Sequence, residues 1–258
     1  MSAKPVTRLN HALRPLLGFA VLIVAWQYGA ALIHMPAYIL PLPTEIAARF
    51  WETRAVQLHH LSVTALTTLV GLAAALAAGV FLALAVVYVP ALKAMVMPLL
   101  AAFNSIPKIA IAPLFIIWFG LGLESKIVLA FLLALFPIFV NSLTGLGEIE
   151  ADVLDLSRLA GGTPLRIFVK VRLMNALPYI TDAVKVAFPL ALVGSIVGEF
   201  IGGNSGVGYL ILSGQFNLDT PLVFSALVSI TLFTTAGIGV VALVEGAFLA
   251  WRPSRRTR

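Results

Sequence analysis

Residues 126–146 read KIVLAFLLALFPIFVNSLTGL, a lysine at the first position followed by an uncharged and predominantly apolar run. A helix rises about 1.5 Å per residue and the hydrocarbon core of a bilayer is about 30 Å thick, so about twenty such residues are long enough to cross it. Further windows of the same kind lie at 16–34, 61–87, 98–119, 179–201 and 222–251. Together they explain the composition. Of 258 residues, 60% are hydrophobic and only 11% charged, where a soluble domain carries about a quarter charged residues. The fold class read from this is all-α integral membrane, with about six transmembrane helices. One membrane domain spans 16–251, between an N-terminal tail at 1–15 and a basic tail at 252–258.

Charge sets the orientation. With both termini and the segment 148–175 in the cytoplasm, the inner side carries Lys4, Arg8, Arg14, Lys93, Arg158, Arg166, Lys170, Arg172 and the four arginines after Trp251, whereas the outer side carries Arg49, Arg54 and Lys126. This is the positive-inside pattern. It accounts for the net charge of +6 without an acidic or nucleic-acid partner. Lys4, Arg8 and Arg14 ahead of the first window resemble a signal peptide, but the apolar run is too long and lacks a small-x-small cleavage site, so it reads as a retained span.

The chain has no cysteine, which excludes disulfides, thiolate catalysis and cysteine-ligated metal. His59 and His60 are neighbours that do not share a helix face and read as part of a polar loop. Between the first two windows, Leu40-Pro41-Leu42-Pro43-Thr44-Glu45 enters a short helix with Thr44 as its N-cap and Ile46, Phe50 and Trp51 as an apolar stripe along the outer interface. Pro98, Pro107, Pro113, Pro137, Pro178 and Pro189, with Gly194 and Gly198, interrupt the third to fifth windows. Irregular membrane helix is tolerated where protein or a water-filled cavity satisfies the freed backbone, so these helices line an interior.

Polar residues inside the windows are the candidates for a solute pathway, because ionisable groups at that depth need a partner or water. Lys108 lies about ten residues, or about 15 Å, into the third window. Asn104 is one turn before it on the same helix face. Asn141, beside Ser142, stands near the inner end of the fourth window. Ser195 and Glu199 are one turn apart near the outer end of the fifth, with Glu199 placed to gate or tether a flexible glycine-rich outer loop. Lys185 snorkels to the interface or pairs with Asp182.

The segment 148–175 is the longest hydrophilic stretch and reads as two short helices with a turn between them. Glu148, Glu150 and Asp152 suit the positive end of the first helix dipole, and Arg158 its negative end. Gly161 and Gly162 suit a left-handed C-terminal cap, Thr163 the next N-cap and Pro164 the first helical position. Lys170 and Arg172 close the second helix. Such order in a loop implies that it docks against something.

Asp155-Leu156-Ser157-Arg158-Leu159-Ala160-Gly161, followed by Val171-Arg172-Leu173-Met174, resembles the EAA loop of bacterial binding-protein-dependent ABC permeases. The family pattern is Glu-Ala-Ala, three residues, Gly, nine residues and Ile-x-Leu-Pro. Here Leu156-Ser157 replaces the alanines and Met174 the proline. Ile106 to Leu114, Trp118 to Lys126 and Gly198 to Leu210, with the Leu42-Pro43-Thr44-Glu45 elbow, resemble the nitrate, sulfonate and taurine permease group. The resemblance implies a homodimer in the bacterial inner membrane, working with ABC ATPase subunits and an extracytoplasmic solute-binding protein. It also implies coupling to the ATPase through Asp155, Leu159, Gly161, Val171 and Leu173. The cargo it implies is a small anion, or alternatively a neutral vitamin precursor such as a pyrimidine. ATP and Mg would sit on the partner, with no cofactor on this chain, since no G-x-x-x-x-G-K-[ST] loop occurs. A secondary transporter would show inverted repeats, which are not evident. A membrane enzyme would need a clustered catalytic set, and neither HExxH nor GxSxG is present.

Overall fold

A computed structural model describes residues 5–248, in which helices follow one another without a strand. They are α1 (Pro5–Leu32), α2 (Pro43–Glu52), α3 (Arg54–Tyr88), α4 (Pro90–Ser105), α5 (Ala112–Phe119), α6 (Leu123–Gly147), α7 (Ala151–Leu159), α8 (Pro164–Ile167), α9 (Leu173–Gly202), α10 (Val207–Phe216) and α11 (Thr220–Phe248), with a π-helical turn, Phe168–Arg172, between α8 and α9. Four helical stretches are long and apolar enough to cross a membrane: Arg54–Tyr88, Leu123–Gly147, Pro164–Gly202 and Thr220–Ala247. The first sequence window appears as the shorter apolar stretch Leu17–Leu32, and Ala91–Ala102 and Val207–Phe216 are two more of that kind. The basic tail at 252–258 lies outside the described residues.

Three expectations about helix boundaries are corrected. His59 and His60 are helical, because nothing between Arg54 and Val70 is glycine or proline and α3 runs through them. The window 98–119 is two helices rather than one. Pro107 removes an amide and disfavours helix at Ile106, so α4 ends at Ser105 and the chain turns through 106–111 before α5. The second loop helix does not end at Arg172. With Met174 where the motif has proline, α8, the π turn and α9 form one helical stretch, and the π turn absorbs the extra residue.

The chain divides into two units. In the first, residues 1–59 and 210–229, α2 is capped differently from the sequence reading. The amide of Leu42 donates to the Glu45 carboxylate at 2.8 Å, while Thr44 exchanges hydrogen bonds of 3.2 Å with the Gln27 amide. Arg49 bonds Asp219 through Nε at 3.0 Å, and Gln57 donates to Ser225 at 3.0 Å.

In the second unit, residues 60–209 and 230–258, α6 and α9 pack antiparallel. Small residues allow the approach: Ala130 and Ala134 of α6 meet Ala183, Ala187 and Ala191 of α9 in a core shared with Leu72 and Ala75 of α3. A Cβ on Gly194 would lie 2.5 Å from the Leu129 carbonyl oxygen. Helices in lipid associate through such close packing, because apolar side chains gain little by leaving lipid tails for each other. Pro137 and Pro178 sit inside these helices without breaking them.

Candidate functional site

The segment after α6 has the local structure its residues dictate. Asp152 falls in the first turn of α7 and Arg158 in the last. Gly161 adopts φ +77°, the Gly162 amide donates to the Ser157 carbonyl at 3.0 Å, and the Gly161 amide to the Arg158 carbonyl at 3.0 Å. This closes the end of α7 with a left-handed residue that glycine accepts without steric cost. The Thr163 hydroxyl accepts from the Arg166 amide at 3.4 Å and opens α8 behind Pro164. At its base the segment is tied to the end of α6: Arg172 Nη1 donates to the Leu146 carbonyl at 2.7 Å and Asn175 Nδ2 to the Gly145 carbonyl at 2.8 Å.

The ordered segment displays large apolar side chains among its charges. Leu156, Leu159 and Leu165 are 68%, 86% and 71% exposed. Asp155 pairs with Arg158 at 2.9 Å on the open surface. Val171 and Leu173 are half-buried where the segment joins α9. Three leucines thus stand exposed on a capped and anchored loop.

The opposite end of the α6–α9 pair is closed. Glu199 is fully buried, with Oε1 accepting from the Thr64 hydroxyl at 2.8 Å and Oε2 from the Gly208 amide at 2.7 Å. Thr64 in turn accepts from the Val207 amide at 2.8 Å, and His60 Nδ1 from the Gly206 amide at 3.1 Å. Lys126 is buried as well and donates to the Ser205 carbonyl at 3.0 Å. A hydrogen bond between Thr67 and Ser195 joins α3 to α9 beside them. Gly206 has φ +109°, and a Cβ there would fall 2.1 Å from the Glu199 carboxyl carbon. Buried charges persist when their lone pairs and protons are satisfied, and here the backbone of one turn supplies most of the partners.

This arrangement corrects one sequence reading. The glycine-rich turn between α9 and α10 is tied down by four backbone hydrogen bonds, to Glu199, Thr64, His60 and Lys126, rather than loose. Ser195 and Glu199 are buried in this network. Asn141 donates to the Pro137 carbonyl of its own helix at 2.8 Å. Lys108 lies in the turn between α4 and α5, not in mid-helix, and its Nζ donates to Asn104 at 2.6 Å. Of the five pathway candidates, only Asn104 and Lys108 come together and stay accessible. Lys185, near the middle of α9, bonds both Asp182, at 3.2 Å, and Glu245 of α11.

Residues 75–249 match the family described as binding-protein-dependent transport system inner membrane component. The chain belongs to this family. It is thus a multi-pass permease of the inner membrane, a translocation subunit of transport systems that depend on a binding protein. It is 33% identical over 246 residues to the formylaminopyrimidine transport permease protein ThiX of Halalkalibacterium halodurans, covering 95% of this chain and 98% of that one. It is 28% identical over 235 residues to the putative aliphatic sulfonates transport permease protein SsuC of Escherichia coli, covering 90% and 89%. Among solved structures it matches the MetNI methionine ABC transporter in an inward-facing conformation, with a TM-score of 0.55, 25% identity, and coverage of 80% of this chain and 98% of that one.

Within this permease the sequence reading overlooked Lys126, counted as an outer-side charge, and His60, Thr64 and Thr67 of α3. Their signal was available. Positions 60, 64 and 67 recur at helical spacing and put three polar groups on one face of the helix.

Proposed function

We propose that this permease works as one of two identical subunits in an ABC importer, with both termini and the segment 148–175 in the cytoplasm. There Leu156, Leu159 and Leu165 seat in a groove of a separate ATPase that holds ATP and Mg. The observation that carries this is the exposure of those three leucines on a loop whose caps and basal hydrogen bonds keep it ordered. A helical segment anchored at both ends passes a push from its partner into α6 and α9 instead of absorbing it. An extracytoplasmic binding protein delivers the cargo.

The cargo is a small polar organic solute of the vitamin-precursor kind. Likeness to ThiX over nearly the whole chain supports this. A second reading, a sulfonate or a similar anion, is favoured by the Lys108 ammonium, which remains accessible beside Asn104. Uptake by proteoliposomes carrying the permease, its ATPase and its cognate binding protein tests both. Formylaminopyrimidine should compete for uptake, with an alkylsulfonate as the contrast. If neither competes, both readings fall. Lys108→Met should lower uptake of an anion far more than that of a neutral solute while leaving the complex assembled. ATP turnover by the purified permease alone would overturn the division of labour.

A further inference from the structure

In the second unit, the end of α3, the start of α4 and the end of α6 enclose a half-open cavity of about 430 Å³. Its floor is aliphatic, built from Val86, Val87, Met97, Val140 and Leu143. Its rim is charged: Lys93 from α4, Arg172 from the π turn and Glu148 just after α6, a local sum of +1. Arg172 spends one Nη on the Leu146 carbonyl and lies over the Tyr88 ring, its carbon 5.8 Å from the ring centre, which leaves further N–H donors of its fork unused by that bond. Tyrosine and arginine together at a helix end mark the level where acyl chains give way to headgroups. Met97, four residues after Lys93 on the same face of α4, is 38% exposed. The apolar floor therefore reaches the protein surface at Met97, where lipid tails can follow it.

We propose that this cavity binds the headgroup of an anionic phospholipid. The phosphate would lie between Lys93 and Arg172, and the acyl chains would leave the cavity along Met97. Basic pockets between membrane helices on the cytoplasmic side suit such lipids, and the volume falls in the range of small-molecule sites. Charge and shape favour a lipid over a protein partner. The cations sit at span ends above an aliphatic floor, whereas the leucines that suit a protein groove lie on α7 and α8. In the cell this lipid would belong to the inner leaflet, a placement that rests on the orientation proposed above.

The test uses the permease–ATPase complex in nanodiscs of phosphatidylcholine containing a minor fraction of spin-labelled phosphatidylglycerol. Both leaflets are alike there, so the result is independent of how the chain is inserted, and accessibility labelling of the 148–175 loop in cells tests the orientation separately. Phosphatidylglycerol should be immobilised in preference to spin-labelled phosphatidylcholine. Lys93→Gln should weaken that preference about fivefold, as expected for one basic residue near a charged headgroup. Lys93→Arg should retain it, and Glu148→Gln should strengthen it by a similar factor. The opposite signs of the two glutamine variants separate an electrostatic site from a packing defect. Equal immobilisation of both lipids, or a preference indifferent to Lys93 and Glu148, would overturn the proposal. So would competition by glycerol phosphate as effective as by the lipid, or displacement of the lipid by the ATPase subunit through shielding of Lys93.

Discussion

The two ends of the α6–α9 pair treat their polar and apolar groups in opposite ways. Where α6 begins and α9 ends, Lys126, Ser195 and Glu199 are withdrawn from solvent and bonded to one another's neighbours or to the backbone of a single turn. Where α6 ends and α9 begins, charges and leucines stand in the open on α7 and α8. At the first end the Glu199 carboxylate finds its partners within the chain, from α3, α9 and the start of α10. The second end is ordered but unfinished, since apolar surface left in water is stabilised only when something covers it. On the function proposed above, this asymmetry leaves one end of the helix pair held and the other open to be pushed.

The largest effect should follow from breaking the closed end. Glu199→Ala strands the Gly208 amide and the Thr64 hydroxyl and leaves Lys126 buried without a neighbouring carboxylate, so stability should fall by about 3–5 kcal/mol. Thermal unfolding in detergent, followed by circular dichroism, measures this, and Glu199→Gln should fall between that variant and the parent. A Glu199→Ala protein that melts with the parent would erase the contrast between the two ends.

Gly161→Val probes the open end through the backbone. A Cβ there meets nothing within 4 Å, so the cost is left-handed strain of about 1–2 kcal/mol and not a clash. Helix content and membrane insertion should match the parent, while co-purification with the ATPase or the coupling of hydrolysis to uptake is lost. Leu159→Ser sharpens the same point without strain. Its side chain is exposed, so the melting temperature should not move, but affinity for the ATPase should drop about tenfold as for an interface anchor. If the ATPase bound both variants as it binds the parent, the open end would have another purpose. The smallest effect belongs to Asp155→Asn, which removes a solvent-exposed pair with Arg158. Melting at low and high salt should register a change at the limit of measurement, and none in high salt.

Legibility in the sequence followed the range of the interaction. The cap at Gly161, the N-cap at Thr163 and the start of α8 at Pro164 were readable, because each is decided by residues within one turn of it. The continuity of α8 into α9 was half-readable. The missing proline at Met174 was visible, but its consequence depended on a π turn that no local pattern announces. The break at Pro107 showed in the sequence as a proline among several, and nothing there separated it from Pro137, which α6 accommodates.

By itself the sequence determined that this protein lives in a bilayer, that most of its chain is helical, and that one loop carries its own helix caps. Hydrophobic run length, charge asymmetry and capping residues are local or additive quantities, so no fold is needed to sum them. Tertiary structure alone decided which polar residues are buried in the interior and which stay accessible. Glu199 and Lys108 are similar on paper, each a single charge in an apolar window. One is enclosed by Thr64 and Gly208, which lie 135 and 9 positions away in the chain, and the other is left accessible beside Asn104. The reason is that burying a charge requires partners gathered from several helices, and only the packing of α3 and α6 against α9 brings them together.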